Sequence, residues 1–435
     1  MVRTSRQVSP PGPRGKWLVG DITAYQRDRI AWLTTNHARY GEVITVAPGL
    51  VAVLDTELAH QVLASTNDGY MVDSALRSGR RQQQAQQDHL DEWMRVRRDV
   101  WRSVADRLTR LHVRRIGSHL EQDLRRHAGR PVDVVGVGRA ALGRAIVDFC
   151  IGGAADPAAQ AVLCTAADDL FSSALRALVS GEGRVGWLPR PAAREASAAN
   201  QRLLDLLDEL VRDRYAADPP AEPRDLLDVL VADGGSVDLA SRAVLVLRTI
   251  MFASHGVPGA AFSWIALLLA EHPGIAAKVA SEASGTALTD VSATSLPYTT
   301  AVVKEALRLQ PPQWLITRTS TRPMEVGGYE LPAGTEVLVC PYLMHRDPRC
   351  WDDPDQFDPQ RWLGPDQPHA RHAYIPFGAG PRVCPGSRLA MVQVTLATAM
   401  LARDYRLEMP SRAAVRASSN GLLLPIDLTG SWHQR

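Results

Sequence analysis

The chain has 435 residues, 45% hydrophobic and 22% charged, which is typical of a soluble globular protein with a large core. Its 49 Lys and Arg against 47 Asp and Glu leave a net charge of +2, which gives no support for a nucleic-acid partner. Five cysteines, an odd number without a Cys-x-x-Cys pair, argue against a disulfide framework or a structural zinc site and favour a reduced cytoplasm.

The N-terminal segment Met1–Trp17 is polar and rich in proline, without the apolar core of a signal peptide. We therefore expect a flexible tail over residues 1–16 of a single domain covering residues 1–435. No stretch is expected to reach the ~18 uncharged apolar residues of a membrane span. These features favour a soluble cytoplasmic protein without a membrane anchor, and we also expect a monomer.

Residues 43–54 predict two short strands around the turn at Pro48-Gly49, and the polar run at residues 82–87 predicts a loop. Four stretches with apolar residues three and four apart predict helices, at residues 90–128, 160–180, 198–215 and 240–285. Glycine and proline return from residue 311, where residues 324–339 predict a hairpin. A final helix is expected from Gly386 to Ala402. The fold class is mainly α, a large helical domain with a small β-sheet portion.

The segment Phe377–Gly386 contains Cys384 among three glycines and two prolines, which make a rigid turn. A helix is expected directly after it, and a thiolate at a helix N-terminus is stabilised by backbone N–H groups and the helix dipole. Arg382 adds positive charge nearby. A stabilised thiolate is what a strongly donating axial iron ligand requires. The alternative is a buried structural cysteine.

This segment resembles the F-x-x-G-x-R-x-C-x-G signature of the cytochrome P450 family. Three further segments resemble family motifs in the expected order: Trp93–Arg97 the W-x-x-x-R helix, Lys304–Arg308 the E-x-x-R helix, and Phe357–Trp362 the F-x-P-x-R-[FW] segment. The resemblance implies the cytochrome P450 fold and haem b with Cys384 as its axial thiolate. It also implies a monooxygenase that uses dioxygen on a small hydrophobic molecule.

The resemblance also assigns roles to other residues. It implies that the haem is bound by Trp93, Arg97, Arg318, Phe377, Arg382, Cys384 and Gly386, with the Trp93 N–H and the three arginines at the propionates. His345 could also reach a propionate, although a structural histidine is an equal alternative. Glu305, Arg308 and Arg361 are expected to form a buried structural network that supports the haem loop.

The helix that carries Trp93 and Arg97 has a second face with Arg95, Arg98 and Arg102, followed by Arg107, Arg110, Arg114 and Arg115. A solvated helix face is the usual meaning of such a pattern. The functional alternative is a docking surface for an acidic electron donor. Because 435 residues leave no room for a fused reductase domain, we expect a separate ferredoxin-type donor with its NAD(P)H-dependent reductase.

The oxygen-activating helix departs from the family's A-G-x-[DE]-T motif, because Ala253–Val257 places Gly256 at the acid and Val257 at the threonine. Neither side chain can transfer a proton. Pro258 also removes an N–H and favours a kink or a widened turn that holds water. Ser254, His255, ordered water or a substrate hydroxyl could deliver protons instead. The alternatives are use of peroxide, a reaction such as coupling or rearrangement that needs less proton relay, or an inactive site.

Several apolar residues are candidates for the substrate pocket, although such residues are usually core: Phe252, Ala253, Val257, Trp314 and Leu315. They favour a hydrophobic metabolite such as a terpenoid, in secondary metabolism. Three hypotheses follow: a ferredoxin-dependent monooxygenase, a peroxide-dependent or non-hydroxylating haem-thiolate enzyme, and a haem-binding protein without turnover.

Overall fold

The computed structural model describes residues 9–13, 21–72, 106–152, 156–180, 191–218, 220–232, 237–288 and 295–435. The polar run at residues 82–87 and the motif Trp93–Arg97 lie outside the described residues. In chain order the α-helices are α1 Ile22–Arg27, α2 Arg29–Tyr40, α3 Thr56–Ala64, α4 Asp106–His127, α5 Val134–Ile151, α6 Pro157–Ser180, α7 Pro191–Ala216, α8 Leu226–Ala232, α9 Val237–Glu271, α10 Pro273–Ser284, α11 Pro297–Leu309, α12 Pro341–Met344 and α13 Ser387–Asp404.

The described strands are short and lie mostly near the two ends of the chain. They are β1 Val43–Ala47, β2 Leu50–Val53, β3 Tyr70–Met71, β4 Val132–Asp133, β5 Ile316–Ser320, β6 Met324–Val326, β7 Tyr329–Leu331, β8 Glu336–Val339, β9 Tyr405–Glu408, β10 Arg416–Ser418, β11 Leu424–Ile426 and β12 Thr429–Gln434. This composition confirms the mainly helical fold with a small β portion.

Two of the expected element boundaries need correction. The helical pattern over residues 240–285 divides into α9 and α10, because Pro273 has no N–H to continue the first helix and instead begins the second. The hairpin expected over residues 324–339 ends at Leu331, where β6 and β7 pair. The remaining strand, β8, pairs with β2 and β5 instead. The expected strands at residues 43–54 are confirmed as β1 and β2.

The chain divides into two compact units, each built from two separate stretches of sequence. The first unit comprises residues 1–92 and 307–384, and the second comprises residues 93–306 and 385–435. In the first unit, a five-stranded sheet has the order β1-β2-β8-β5-β3, with only β2 and β8 parallel. Helix α3 packs its buried Val62 and Leu63 into the same core as Val337 and Val339 of β8.

The second unit contains helices α4 to α10, the N-terminal part of α11, and α13, with the sheet β4-β12-β9 and the pair β10-β11. Its central helix α9 packs against α5, α7 and α13. By length and composition, Ala240–Glu271 could cross a membrane, which corrects the expectation that no segment reaches that length. The apolar window of this helix is 78% buried within the protein, which is the pattern of a core helix.

Candidate functional site

The loop that carries Cys384 is held by backbone hydrogen bonds within the first unit. The Cys384 N–H donates to the Phe377 carbonyl at 2.8 Å, and the Gly378 N–H donates to the Ile375 carbonyl at 3.0 Å. A short 3₁₀ helix, Gly380–Arg382, lies between them. The Cys384 side chain is partly exposed, and the five cysteines, all within described stretches, form no disulfide. The thiol is therefore presented on a fixed backbone three residues before α13 begins.

Gly380 explains why this loop needs glycine. Its φ of +70° is in the left-handed region, and a Cβ there would lie 2.2 Å from the Leu63 carbonyl oxygen. Any other residue would collide with the backbone at the end of α3. The loop is thus seated directly on α3, and the sequence expectation of a rigid turn around Cys384 agrees with this geometry.

Arg318 and Arg382 bring two guanidinium groups close together in the first unit. Arg318 is buried, and it donates to the Thr66 hydroxyl and the Thr317 carbonyl, both at 2.8 Å. Burial, together with the charge of Arg382, lowers the pKa of Arg318 to about 10. Arg382 donates to the Asn67 side-chain oxygen at 3.0 Å. Like charges that lie close together repel, so an anionic group such as a haem propionate would stabilise both of them.

His345 is fully buried, and both of its ring nitrogens have backbone partners. The Ile375 N–H donates to Nε2 at 2.9 Å, so Nδ1 carries the proton and lies 3.1 Å from the Arg308 carbonyl. Burial lowers the pKa of His345 to about 3. A neutral ring with both nitrogens occupied favours the structural alternative for His345 over propionate binding.

Arg308 and Glu305, the E-x-x-R pair of α11, are both fully buried. The Arg308 guanidinium donates to the backbone carbonyls of His345, Pro354 and Gln356. Arg361 donates to the carbonyls of Asp352 and Asp353. Both arginines therefore support the loops that precede the cysteine segment, whereas the expected pairing of Glu305 with them stays a prediction.

A separate candidate region, in the second unit, is the segment Ala253–Val257 of α9, which departs from the family motif. The helix stays α-helical through Pro258. Ser254 and Val257 are partly exposed and Ala253 is exposed, whereas His255 is only 3% exposed. Ser254 and His255 are thus in different surroundings, and only Ser254 borders open space.

His255 points toward α5 and α6 within the second unit. Its Nε2 lies 3.1 Å from Asp168 Oδ1 on α6, and Arg139 Nε of α5 lies 3.0 Å from the same oxygen. The hydrogen bond with His255, followed by Arg139, lowers the pKa of Asp168. His255 Nδ1 is buried without a hydrogen-bond partner. The residue therefore ties three helices together.

The ring of Phe171 occupies the space that a side chain at residue 256 would need. A Cβ at this position would lie 1.9 Å from Cζ of Phe171, a residue of α6. The same ring lies 6.4 Å from the ring of Phe252 on α9. Phe171 therefore occupies the space that an acidic side chain at residue 256 would need, which is a physical reason for the missing acid.

The expected pocket residues differ in exposure. Phe252 and Leu315 are partly exposed, as a pocket wall should be, whereas Trp314 has no exposed surface. The burial of Trp314 favours a core role. Phe171 was not among the sequence candidates, and neither were Asp168, Thr66 and Asn67. No local pattern marks them, because their partners are far away in the chain.

The proposed donor-docking face lies largely outside the described side chains, including Arg95, Arg98 and Arg102. Arg114 is exposed. Arg115 instead donates to Asp148 at 2.5 Å, so part of its charge is neutralised. The docking surface stays a prediction.

Comparison with known proteins identifies the class. The sequence model of the family "Cytochrome P450" matches residues 10–429, so the chain belongs to the cytochrome P450 family. Members bind haem b through a cysteine thiolate, and the seated Cys384 loop and the Arg318–Arg382 pair fit that cofactor.

The relatives in sequence include proteins of two Streptomyces species. Cyclooctatin synthase of Streptomyces melanosporofaciens is 36% identical over 249 residues, 55% of this chain and 54% of the relative. Pentalenene oxygenase of Streptomyces avermitilis is 31% identical over 276 residues, 59% of each chain. The matches thus span little more than half the length of these curated relatives.

Solved structures confirm the fold over the whole chain. Cyanobacterial CYP120A1 with retinoic acid bound has a TM-score of 0.78 at 18% identity, covering 98% of this chain and 99% of that one. The cytochrome P450DA haem domain has a TM-score of 0.79 at 17% identity, covering 99% and 98%. At these identities the likeness concerns the fold alone.

Proposed function

We propose that this protein is a ferredoxin-dependent monooxygenase that inserts oxygen from dioxygen into a small hydrophobic metabolite, within secondary metabolism. The observation that carries the proposal is the Cys384 loop, seated on α3 through Gly380 and accompanied by the Arg318–Arg382 pair. The terpenoid oxygenases among the relatives support a terpenoid-like substrate. We further propose a cytoplasmic monomer that receives electrons from a ferredoxin and its NAD(P)H-dependent reductase.

Different residues of the chain would bind the haem, hold protons and position α9. Cys384 would hold the iron, while Arg318 and Arg382 would hold the propionates. The haem, when bound, supplies the chemistry that activates dioxygen. Ser254, with ordered water, would hold a proton on the open side of α9. His255 would act by positioning α9 through Asp168, because it is buried away from open space.

The test is the absorbance spectrum of the reduced, CO-bound protein. We expect the band of a thiolate-ligated haem, and we expect Cys384→Ala to abolish it because no other thiolate occupies that loop. Cys350→Ala is a matched control in the same unit, since Cys350 is partly exposed and its pKa is raised by burial. A thiolate band that survives in Cys384→Ala would contradict the proposal.

A second candidate function is a peroxide-dependent or non-hydroxylating haem-thiolate enzyme, such as one that performs coupling or rearrangement. It is favoured by Gly256 and Val257, which cannot transfer protons, and by the Phe171 ring that excludes an acid there. Turnover with ferredoxin, reductase and NADPH should be compared with turnover driven by peroxide alone. Product formation only with peroxide would favour the second candidate over the first.

A further inference from the structure

One side of α9 is open although the helix is otherwise a core element. Leu245, Thr249, Phe252, Ala253 and Val257 retain exposed surface, whereas most positions between Ala260 and Leu269 have almost none. Their spacing of three and four residues places them along one face. This face therefore retains accessible surface beside the part that Phe171 covers, and it is mainly apolar.

Arg248 lies at the edge of this face, one turn before Phe252. Its Nε donates to the side-chain oxygen of Asn200 on α7 at 2.7 Å, and its guanidinium carbon lies 5.2 Å from the centre of the Phe252 ring. Asn200 takes only Nε, so both Nη groups of Arg248 and the amide N–H₂ of Asn200 are available as donors. Burial lowers the pKa of Arg248, which means that its charge is held partly out of water.

Arg248 has no acidic partner among the side chains that the structure describes. Several other described arginines of the second unit do have acidic partners: Arg115 with Asp148, Arg139 with Asp168, Arg144 with Asp123, and Arg214 with Asp225 and Asp228. In the described part of the chain, the side chains that contact the Arg248 guanidinium are an amide and an aromatic ring. A partly desolvated cation of this kind is stabilised when an anion binds to it.

We infer that Arg248 and Asn200 bind the carboxylate of an otherwise apolar substrate, whose hydrocarbon part lies along the open face of α9. The planar guanidinium suits a carboxylate because two N–H groups can donate in parallel to its two oxygens. Phe252 then contacts the adjoining hydrocarbon. This inference rests on the proposed function and deepens it, since it names the substrate class as lipophilic carboxylic acids.

The experiment compares carboxylic acids with their methyl esters on the haem-loaded enzyme. The probes are dodecanoic acid and abietic acid, each paired with its methyl ester, so that a linear and a terpenoid skeleton are both tested. Binding is measured by the spin-state shift of the haem and, independently of the haem, by equilibrium dialysis of the radiolabelled compounds. We expect at least one acid to bind about tenfold or more tightly than its ester at neutral pH.

Substitutions of Arg248 test whether this residue causes the preference for the acid over its ester. Arg248→Gln should bind acid and ester within about threefold of each other, and Arg248→Lys should retain part of the preference because it keeps the charge. Arg202→Gln is the matched control, since Arg202 is an exposed arginine of α7 whose side chain lies 3.8 Å from Asp169. It should keep the full preference.

Three results would overturn the inference: ester and acid binding the wild type equally, no acid binding at all, or Arg248→Gln keeping the preference. If Arg248→Gln does not fold, the inference is still tested by the acid-to-ester preference of the wild type and by whether Arg248→Lys retains part of it. These results differ from a failure of the proposed function. In that case the spectrum of a thiolate-ligated haem is absent, whatever equilibrium dialysis shows for the acids and esters.

Discussion

At the residue scale, Arg318 is a buried cation whose hydrogen-bond acceptors are neutral oxygens. Its guanidinium is buried among neutral oxygens, and a second guanidinium, that of Arg382, lies near enough to lower its pKa. In the isolated chain this arrangement is unfavourable, because a buried charge is normally paired. An anion bound at Arg318 would offset this cost, which is why we expect Arg318 to contribute to cofactor binding.

We expect Arg318→Met to weaken haem retention by about 10- to 100-fold, the loss of one charge-assisted hydrogen bond of about 1.5–3 kcal/mol. The measurement is the rate of haem transfer to apomyoglobin. Arg322→Met is the control, because Arg322 is exposed in the same unit and pairs only with the exposed Asp68. Equal transfer rates for the two variants would remove Arg318 from the haem site.

At the scale of elements, the packing of α6 against α9 depends on the absence of a side chain at Gly256. Phe171 of α6 lies over Gly256, and Asp168 on the same helix bonds to His255. The two contacts are on adjacent turns of α6 and on consecutive residues of α9. The departure from the family motif is therefore coupled to the packing of a neighbouring helix, and restoring an acid at residue 256 would displace Phe171.

Gly256→Ala should lower the free energy of unfolding by about 1–3 kcal/mol, because the added methyl group collides with the Phe171 ring. Against a Phe171→Ala background the same substitution should cost clearly less. Chemical denaturation of the four proteins of this double-mutant cycle measures the coupling. Gly274→Ala on α10 has open space around it and should not be destabilising. Additive effects of the first two substitutions would contradict this account of the contact.

Local patterns predicted much of the fold and the rigid turn at Cys384, but not the surroundings of α9, and the cofactor-binding residues stay a prediction. The turn at Pro48-Gly49 and the glycines and prolines near Cys384 act on their own neighbours, so they can be read from the sequence. Asp168 lies 87 residues from His255, and Thr66 lies 252 residues from Arg318. Such partners are chosen by tertiary packing, which leaves no periodic signal. The sequence did not predict the end of α9 because the apolar pattern continues past His272-Pro273.

At the scale of the whole molecule, buried histidines in both units connect stability to pH. His345 of the first unit and His112 of the second have pKa values lowered by burial to about 3 and about 4. Each stays neutral in the folded protein while it becomes charged in the unfolded chain below about pH 6.5. Stability is therefore complete above that pH and is lost as the pH falls toward the folded-state values.

For His345 alone, the free energy of unfolding should fall by about 2 kcal/mol between about pH 7 and pH 5. His345→Gln removes the titrating group, so its stability should depend less steeply on pH even though the variant is less stable throughout. Urea unfolding of the haem-loaded protein at several pH values gives the slopes. An unchanged slope in His345→Gln would contradict the prediction.

The parallel pairing of β2 with β8 has a consequence for how the chain acquires its structure during synthesis. Val51 pairs with Val337, so the central strands of the first unit's sheet come from opposite ends of the sequence. Closing a loop of that length costs about 5 kcal/mol of chain entropy, which must be offset by many contacts at once. The second unit likewise requires α13, encoded after the first unit's last residue. Neither unit can be completed on the ribosome until most of the polypeptide has emerged, so nascent chains should depend on protection from aggregation until then.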